Sequence, residues 1–183
     1  MVASTGIAVN LPSGSGREID EEELDLLATG AWILGTGGGG DPYHSLLNAK
    51  KLYRENQRVR MIPAEALADD DLVAVVSQMG APLVSQERIT DPAMIAEAVR
   101  MMEDYLGKQF RAFMSLEIGG GNGIQPLLAG AIMDRPVVDG DGMGRAFPAI
   151  FHTSFAVGDL ACVPLTLWDI RGNGLIITDA TDW

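Results

Sequence analysis

Four consecutive glycines, Gly37–Gly40, followed at once by Asp41-Pro42, restrict this chain more than any other stretch. Glycine loses the most conformational freedom on ordering and supports neither a helix nor a strand interior, so regular structure must break there. The flanking residues are helical in pattern. Asp20 with Glu23 three residues later has capping-box spacing, and Leu24, Leu27, Ala28, Ala31 and Trp32 recur at helical intervals. A first helix is expected from Glu21 to Leu34. Beyond the glycines, Asp41 is placed to cap a second helix and Pro42 to open it. Tyr43, Leu46, Leu47, Lys50 and Tyr53 share a face, and Lys50, Lys51 and Arg54 sit toward the C-terminal end, where cations are favoured. The second helix should run to about Glu55.

The rest of the chain alternates. "RVRMI" (58–62) reads as a short strand. "LVAVVS" (72–77) is a continuous β-branched run, the pattern of a strand buried on both faces, and "QMGAP" (78–82) ends it in a turn. Thr90 or Asp91 caps a third helix with Met94, Ile95, Ala98, Met101, Met102 and Tyr105 on its face, and Gly107 closes it. "FRAFMSLEI" (110–118) is a strand running into "GGGN" (119–122), and a short helix follows from Ile124 to Met133. A brief strand ends at Val138, before an acidic glycine loop. After Phe147, "IFHTSFAVG", "CVPLTLW" and "NGLIIT" read as short strands. The alternation predicts an α/β fold: a layered, mainly parallel sheet flanked by helices, with a short strand-rich C-terminal tail. The boundaries are a flexible tail over 1–19, an α/β domain over 20–150 and a strand-rich extension over 151–183.

At 183 residues and 47% apolar the chain suits one domain with a real core. Its net charge of −12 opposes binding to nucleic acid or to an anionic membrane surface. The single cysteine, Cys162, permits no internal disulfide and favours a reducing compartment. The opening residues lack a basic segment and a long apolar run, so they do not read as a signal peptide. No stretch approaches the ~18 apolar residues of a membrane span. A cytoplasmic location is expected.

In open parallel sheets, sites form beyond the carboxyl ends of the strands. "SQMGAP", "EIGGGN" and "VDGDGMGR" occupy such ends, each pairing glycine with a polar group, while the glycine row precedes a helix N-terminus. Gly35, Gly37 and Gly40 formally satisfy G-x-G-x-x-G, but a helix rather than a strand comes before them, and no acid closes the next strand as a dinucleotide site requires. The Gly-Lys-Ser/Thr of a phosphate loop is missing. Two readings stay open: an anion or carbonyl site at a helix start, which the carboxylate of Asp41 opposes, or a tight helix–helix corner. Glu117, Asp139 and Asp141 can act as acid and base or hold a hard divalent metal; Asp-Gly is equally a turn pair. Arg145 can orient a substrate carboxylate or pair with Asp139 or Asp141. His44 and His152 can join the acids on a metal, though their spacing matches no ligand motif. Cys162, in "ACVPL", reads as a structural thiol.

Taken in order, "LGTGGGGDPY", "SQMGAP", "EIGGGN" and "VVDGDGMGRAFP" resemble one family over residues 20 to 180. It was first catalogued as a domain of unknown function, is now labelled the S-methyl thiohydantoin desulfurase N-terminal domain, and is found beside hydantoinase/oxoprolinase proteins. "HTSF" stands where a "TTF"-like stretch is expected, one threonine hydroxyl fewer. The resemblance implies an α/β domain whose tail contacts a missing or separate C-terminal β domain or second subunit, in a homo- or hetero-oligomer. It implies a small cyclic amide or thiohydantoin substrate, with water replacing sulfur at the ring carbon. On that reading Glu117, Asp139 and Asp141 are the catalytic candidates, and with His44 they are the candidates for a divalent metal. Gly37, Gly38, Gly39, Gly40, Asp41, Gly80, Asn122, Met143 and Arg145 would contact substrate. Alternatives are a non-catalytic partner subunit of a hydantoinase-type complex and a binding module for an anionic metabolite.

Overall fold

The computed structural model describes residues 16–183 except 82, 83, 85, 86, 88 and 89. Most of the N-terminal tail and the Pro82 end of the "QMGAP" turn therefore lie outside the described residues. The main sheet has five strands. In spatial order they are β1 (Arg17–Glu18), β2 (Arg60–Ile62), β5 (Val137–Asp141), β4 (Ala112–Ser115) and β3 (Val73–Val76). β2, β5, β4 and β3 are mutually parallel, and only β1, at the rim, is antiparallel. The fold is α/β, as the alternation predicts.

Among the described residues, four helices cover one face: α1 (Glu21–Gly35), α2 (Pro42–Arg54), α3 (Ala93–Leu106) and α4 (Gln125–Met133). All four contribute to the larger core cluster, which packs Leu24, Leu52, Val99 and Leu128 against Phe113 and Val137 of the sheet. Among the described residues, the opposite face carries a small cluster of Ile62, Ala112 and Val138, with Leu67, Val73 and Met114 half-buried against it. This asymmetry corrects one expectation. β3 is an edge strand covered on one side: Ala74 and Val76 are buried while Val75 is 40% exposed. Its unbroken apolar run reflects β-branched strand preference rather than burial on both faces.

The helix boundaries follow their caps. Glu23 N–H donates to Asp20 Oδ1 at 2.8 Å and Asp20 N–H donates to Glu23 Oε2 at 3.0 Å, completing the capping box. Tyr43 N–H donates to Asp41 Oδ1 at 2.8 Å. Asp91 accepts from Ala93 N–H at 2.9 Å, and Gly107 closes α3 in the left-handed region at φ 63°. Beyond Phe147 the chain differs from expectation. "IFHTSFAVG" forms a 3-10 turn (Ile150–His152) and a one-turn helix, α5 (Ser154–Val157), not a strand. The reason is local: Thr153 Oγ1 accepts from Ala156 N–H at 3.2 Å and caps the turn. β6 (Leu165–Trp168) and β7 (Gly174–Ile177) then form an antiparallel hairpin, tied to α3 by Thr166 Oγ1 donating to Ala98 O at 2.9 Å. No helix among the described residues is long and apolar enough to cross a membrane.

One core contact has a pH signature. Tyr53 is buried and its hydroxyl donates to Ile19 O at 2.8 Å. Burial pushes the phenol above its usual value of 10.0. Below pH 10 the phenol is neutral in folded and unfolded chains alike. Above it the unfolded chain ionises first, so stability falls as pH rises from 10 toward the folded-state value. Tyr53→Phe should cost about 1 kcal/mol at pH 7 and flatten the alkaline loss. Urea melts at pH 7 and above pH 10 check this; parallel losses in both proteins would assign the alkaline sensitivity to another group.

Candidate functional site

The glycine loops are interleaved backbone to backbone. Gly121 N–H donates to Gly40 O at 3.0 Å, Asn122 N–H to Gly39 O at 3.3 Å, and Ala146 N–H to Leu34 O at 3.1 Å. A Cβ on Gly39 would overlap the carbonyl oxygen of Gly119; one on Gly120 would lie 2.5 Å from Gly40 O, and one on Gly119 2.5 Å from Ala146 N. Three segments, 36–40, 119–123 and 142–147, thus approach within a distance only bare backbone allows. Gly37 and Gly40 differ: a Cβ there meets nothing within 4 Å, and positive φ alone (91° and 79°) asks for glycine. The Asp41 carboxylate already occupies the N-terminal field of α2 through Tyr43 N–H.

The same loops are gathered by two acids. Glu117 is buried; its Oε1 accepts from Asn122 Nδ2 at 2.6 Å and its Oε2 from Phe147 N–H at 3.0 Å. Asp141 Oδ2 accepts from Ile118, Met143 and Gly144 N–H at 2.9, 3.3 and 2.7 Å. Its Oδ1 accepts no hydrogen bond from the described residues. A bulge sets this position. Phe113 pairs with Val137 and Ser115 with Asp141, so β5 carries two residues more than β4 over that interval. Asp139 and Gly140 are exposed there, and Asp141 comes to lie beside the end of β4.

The four candidate metal ligands are not brought together. Among the described residues no three His, Cys, Asp or Glu side chains are grouped to hold a metal ion. Glu117 and Asp141 are engaged by N–H donors of the loops, Asp139 stands on the exposed bulge, and His44 is exposed on α2 with its ring 5.9 Å from that of Tyr43. The residues present do not fit a metal centre built from these four. Arg145 pairs with neither Asp139 nor Asp141 among the described residues. Its guanidinium lies 3.9 Å from the Phe147 ring centre and donates to Ala146 O at 3.0 Å. His152 stacks at 5.4 Å from Phe147 and 4.4 Å from Phe151. Gly80 is exposed, Met143 half-buried, and Cys162 half-buried with Sγ 3.6 Å from Asp182 O.

A polar cluster that the sequence analysis does not single out adjoins Asn122. Gln78 N–H donates to Asn122 Oδ1 at 2.8 Å. Gln125 Nε2 lies 3.2 Å from both Ser45 Oγ and Gln78 Oε1, and Gln78 Nε2 donates to Thr90 Oγ1 at 3.2 Å. Asn48 Nδ2 reaches Thr90 O at 3.1 Å. Four side-chain amides, those of Gln78, Asn122, Gln125 and Asn48, and two hydroxyls thus meet beyond the carboxyl ends of β3 and β4, near the N-termini of α2 and α4. Buried Gln125, Asn122 and Ser45 form the inner part, and exposed Gln78 the outer end. Two signals were available: Gln125 opens a helix that is otherwise apolar, and Ser45 lies on the same face as buried Pro42, Ala49 and Leu52. Two open grooves, about 450 and 540 Å³, lie elsewhere, between α3 and the β6–β7 hairpin around Trp168. Neither touches the amide cluster or the acids, so chemistry rather than concavity marks the candidate site.

No curated protein matches the chain. A crystal structure of a protein from Chromobacterium violaceum superposes with a TM-score of 0.74 at 24% identity, over 90% of this chain and 45% of that one. That likeness supports the fold, and the chain spans about half the length of that protein. The interleaved glycine loops and their two acids fall within residues 22–179, which match the family described as S-Me-THD-like, N-terminal domain, and the chain belongs to that family.

Proposed function

We propose that the chain supplies the ring-binding part of a hydrolase-type enzyme acting on a thiohydantoin- or hydantoin-like cyclic amide. The observation that carries the reading is the amide cluster of Gln78, Asn122 and Gln125 at the strand ends. A five-membered imide ring presents N–H donors and C=O acceptors in one plane, and a primary amide carries both. The family assignment points to the same substrate class. In the reaction, water adds to the ring carbon bearing sulfur. A C–O bond forms, a water proton passes to a base, the C–S bond breaks, and sulfur leaves as a thiol after taking up one proton. Asp141 suits the base: three N–H groups fix its Oδ2 while Oδ1 stays available to a water. Glu117 acts as a positioning residue, holding Asn122 toward Gln78. A second half, of the kind that gives the structural neighbour its greater length, completes the enzyme.

Thiol release from an S-methyl thiohydantoin, measured on this chain alone and with its second half, tests the reading. Asp141→Asn should lower kcat by about 10²–10⁴-fold with the fold retained. Gln78→Ala should raise KM with little change in kcat. A wild-type rate in Asp141→Asn removes it as base, and an unchanged KM in Gln78→Ala removes the amide cluster from ring recognition. The engagement of Glu117 and Asp141 by loop N–H groups favours a second reading, a non-catalytic partner subunit. It expects full activity of the completed enzyme in both variants.

A further inference from the structure

α1 turns outward a surface that nothing in the described fold uses. Leu24, Ala28, Ala31 and Gly35 face the core, which places Leu26 and Ile33 on the opposite side with Gly30 beside them. The chain reverses between α1 and α2, and the Lys50–Asp25 ion pair, 2.8 Å, ties the two helices side by side. One heptad on from Asp25 and one back from Lys50, Trp32 and Tyr43 fall at the same level of the helix pair, with Leu47 a turn from Tyr43. Leu26, Trp32, Ile33, Tyr43 and Leu47 are between 46% and 71% exposed. At about 100 Å² each, they offer on the order of 500 Å² of apolar surface, close to what one partner contributes to a standard homodimer interface.

No contact among the described residues explains Gly30. Glycine weakens a helix interior relative to alanine, yet a Cβ there would meet nothing within 4 Å. It leaves a dimple of bare backbone one turn from Leu26 and three residues from Ile33, a place for a large side chain of a facing helix. We propose that this face binds a second copy of the chain, with the two α1 helices packed antiparallel about a two-fold axis near Gly30. The stripe is self-complementary in that arrangement: Leu26 of one copy faces Ile33 of the other across the paired dimples. Charge selects the same orientation. Glu21, Glu22, Glu23 and Asp25 crowd the start of α1 and no basic residue closes its last turn, so a parallel pairing would superpose two acidic ends, on chains that each carry −12.

Sedimentation equilibrium of the 183-residue chain, from about 1 to 100 µM, should show a dimer. Ile33→Glu and Gly30→Leu should each weaken it by at least about tenfold. Gly30→Leu has free space within its own chain and should melt no lower than the parent when both are monomeric. Oxidised mixtures of Leu26→Cys and Ile33→Cys chains, both also carrying Cys162→Ser, should give the mixed disulfide in preference to either self-pair. A monomer at every concentration, or a dimer indifferent to both Ile33→Glu and Gly30→Leu, overturns the proposal; dominant self-pairs overturn the antiparallel arrangement.

Discussion

Gly39→Ala is expected to abolish the native fold or to destabilise it by more than about 4 kcal/mol, while Gly37→Ala, two residues away, should cost only about 1–2 kcal/mol. Both glycines have positive φ, 73° and 91°, so backbone strain alone would treat them alike. The difference is the neighbour. A methyl on Gly39 overlaps the Gly119 carbonyl, and its relief would break the Asn122 N–H bond to Gly39 O and shift the 119–123 turn. A methyl on Gly37 points into open space. Gly120→Ala, at 2.5 Å from Gly40 O on the facing loop, should match Gly39→Ala. Urea melts of the three variants give the comparison directly. Equal stabilities for Gly37→Ala and Gly39→Ala would mean that the loops are not held against each other in solution.

Glu117→Ala is the second large effect. It removes the acceptor of two N–H groups, the Asn122 side chain and the Phe147 backbone. Each donor left unsatisfied costs about 1–3 kcal/mol, so the loss should total about 2–6 kcal/mol. Glu117→Gln separates packing from charge. It keeps the volume but turns one acceptor into an amide N–H₂ facing a donor, and should cost about 1–3 kcal/mol. Amide exchange at Phe147 should rise in both variants, since that N–H loses its partner or its best acceptor. If Glu117→Gln instead stabilises the chain, the cost of burying a carboxylate outweighs its two hydrogen bonds, and the residue is kept for chemistry rather than for holding the loops.

Reading along the chain locates its punctuation well. The capping box at Asp20–Glu23, the Asp41-Pro42 start of α2, the left-handed Gly107 and the break at Gly37–Gly40 are all where composition puts them. They are local: a cap needs only its own next three residues. The tail shows where local reading fails. "IFHTSFAVG" is β-like in composition, but a single hydroxyl cap at Thr153 turns it into helix. The run in β3 is apolar enough for either a central or an edge strand, and only the packing of α1 to α4 against one face of the sheet decides that Val75 is open.

The site divides along the same line. That Glu117, Asp141, Asn122 and the glycines belong to one region is legible from their positions at strand ends. What each does is not. Asp139 and Asp141 look equivalent either side of Gly140, and the two-residue bulge in β5 separates them. Gln78, Ser45, Thr90 and Gln125 come from four separate segments, and the local signals at Ser45 and Gln125 do not show that the four meet, because their meeting is a product of sheet order and helix packing. By itself the sequence determined where helices begin and stop, that the fold alternates helix and strand, and that four glycines must interrupt it, since those follow from interactions within a turn or two of chain. Only the tertiary structure decided that a Cβ on Gly39 or Gly120 would strike another backbone while one on Gly37 or Gly40 would point into open space, because close approach between distant segments is a property of packing and leaves no local trace.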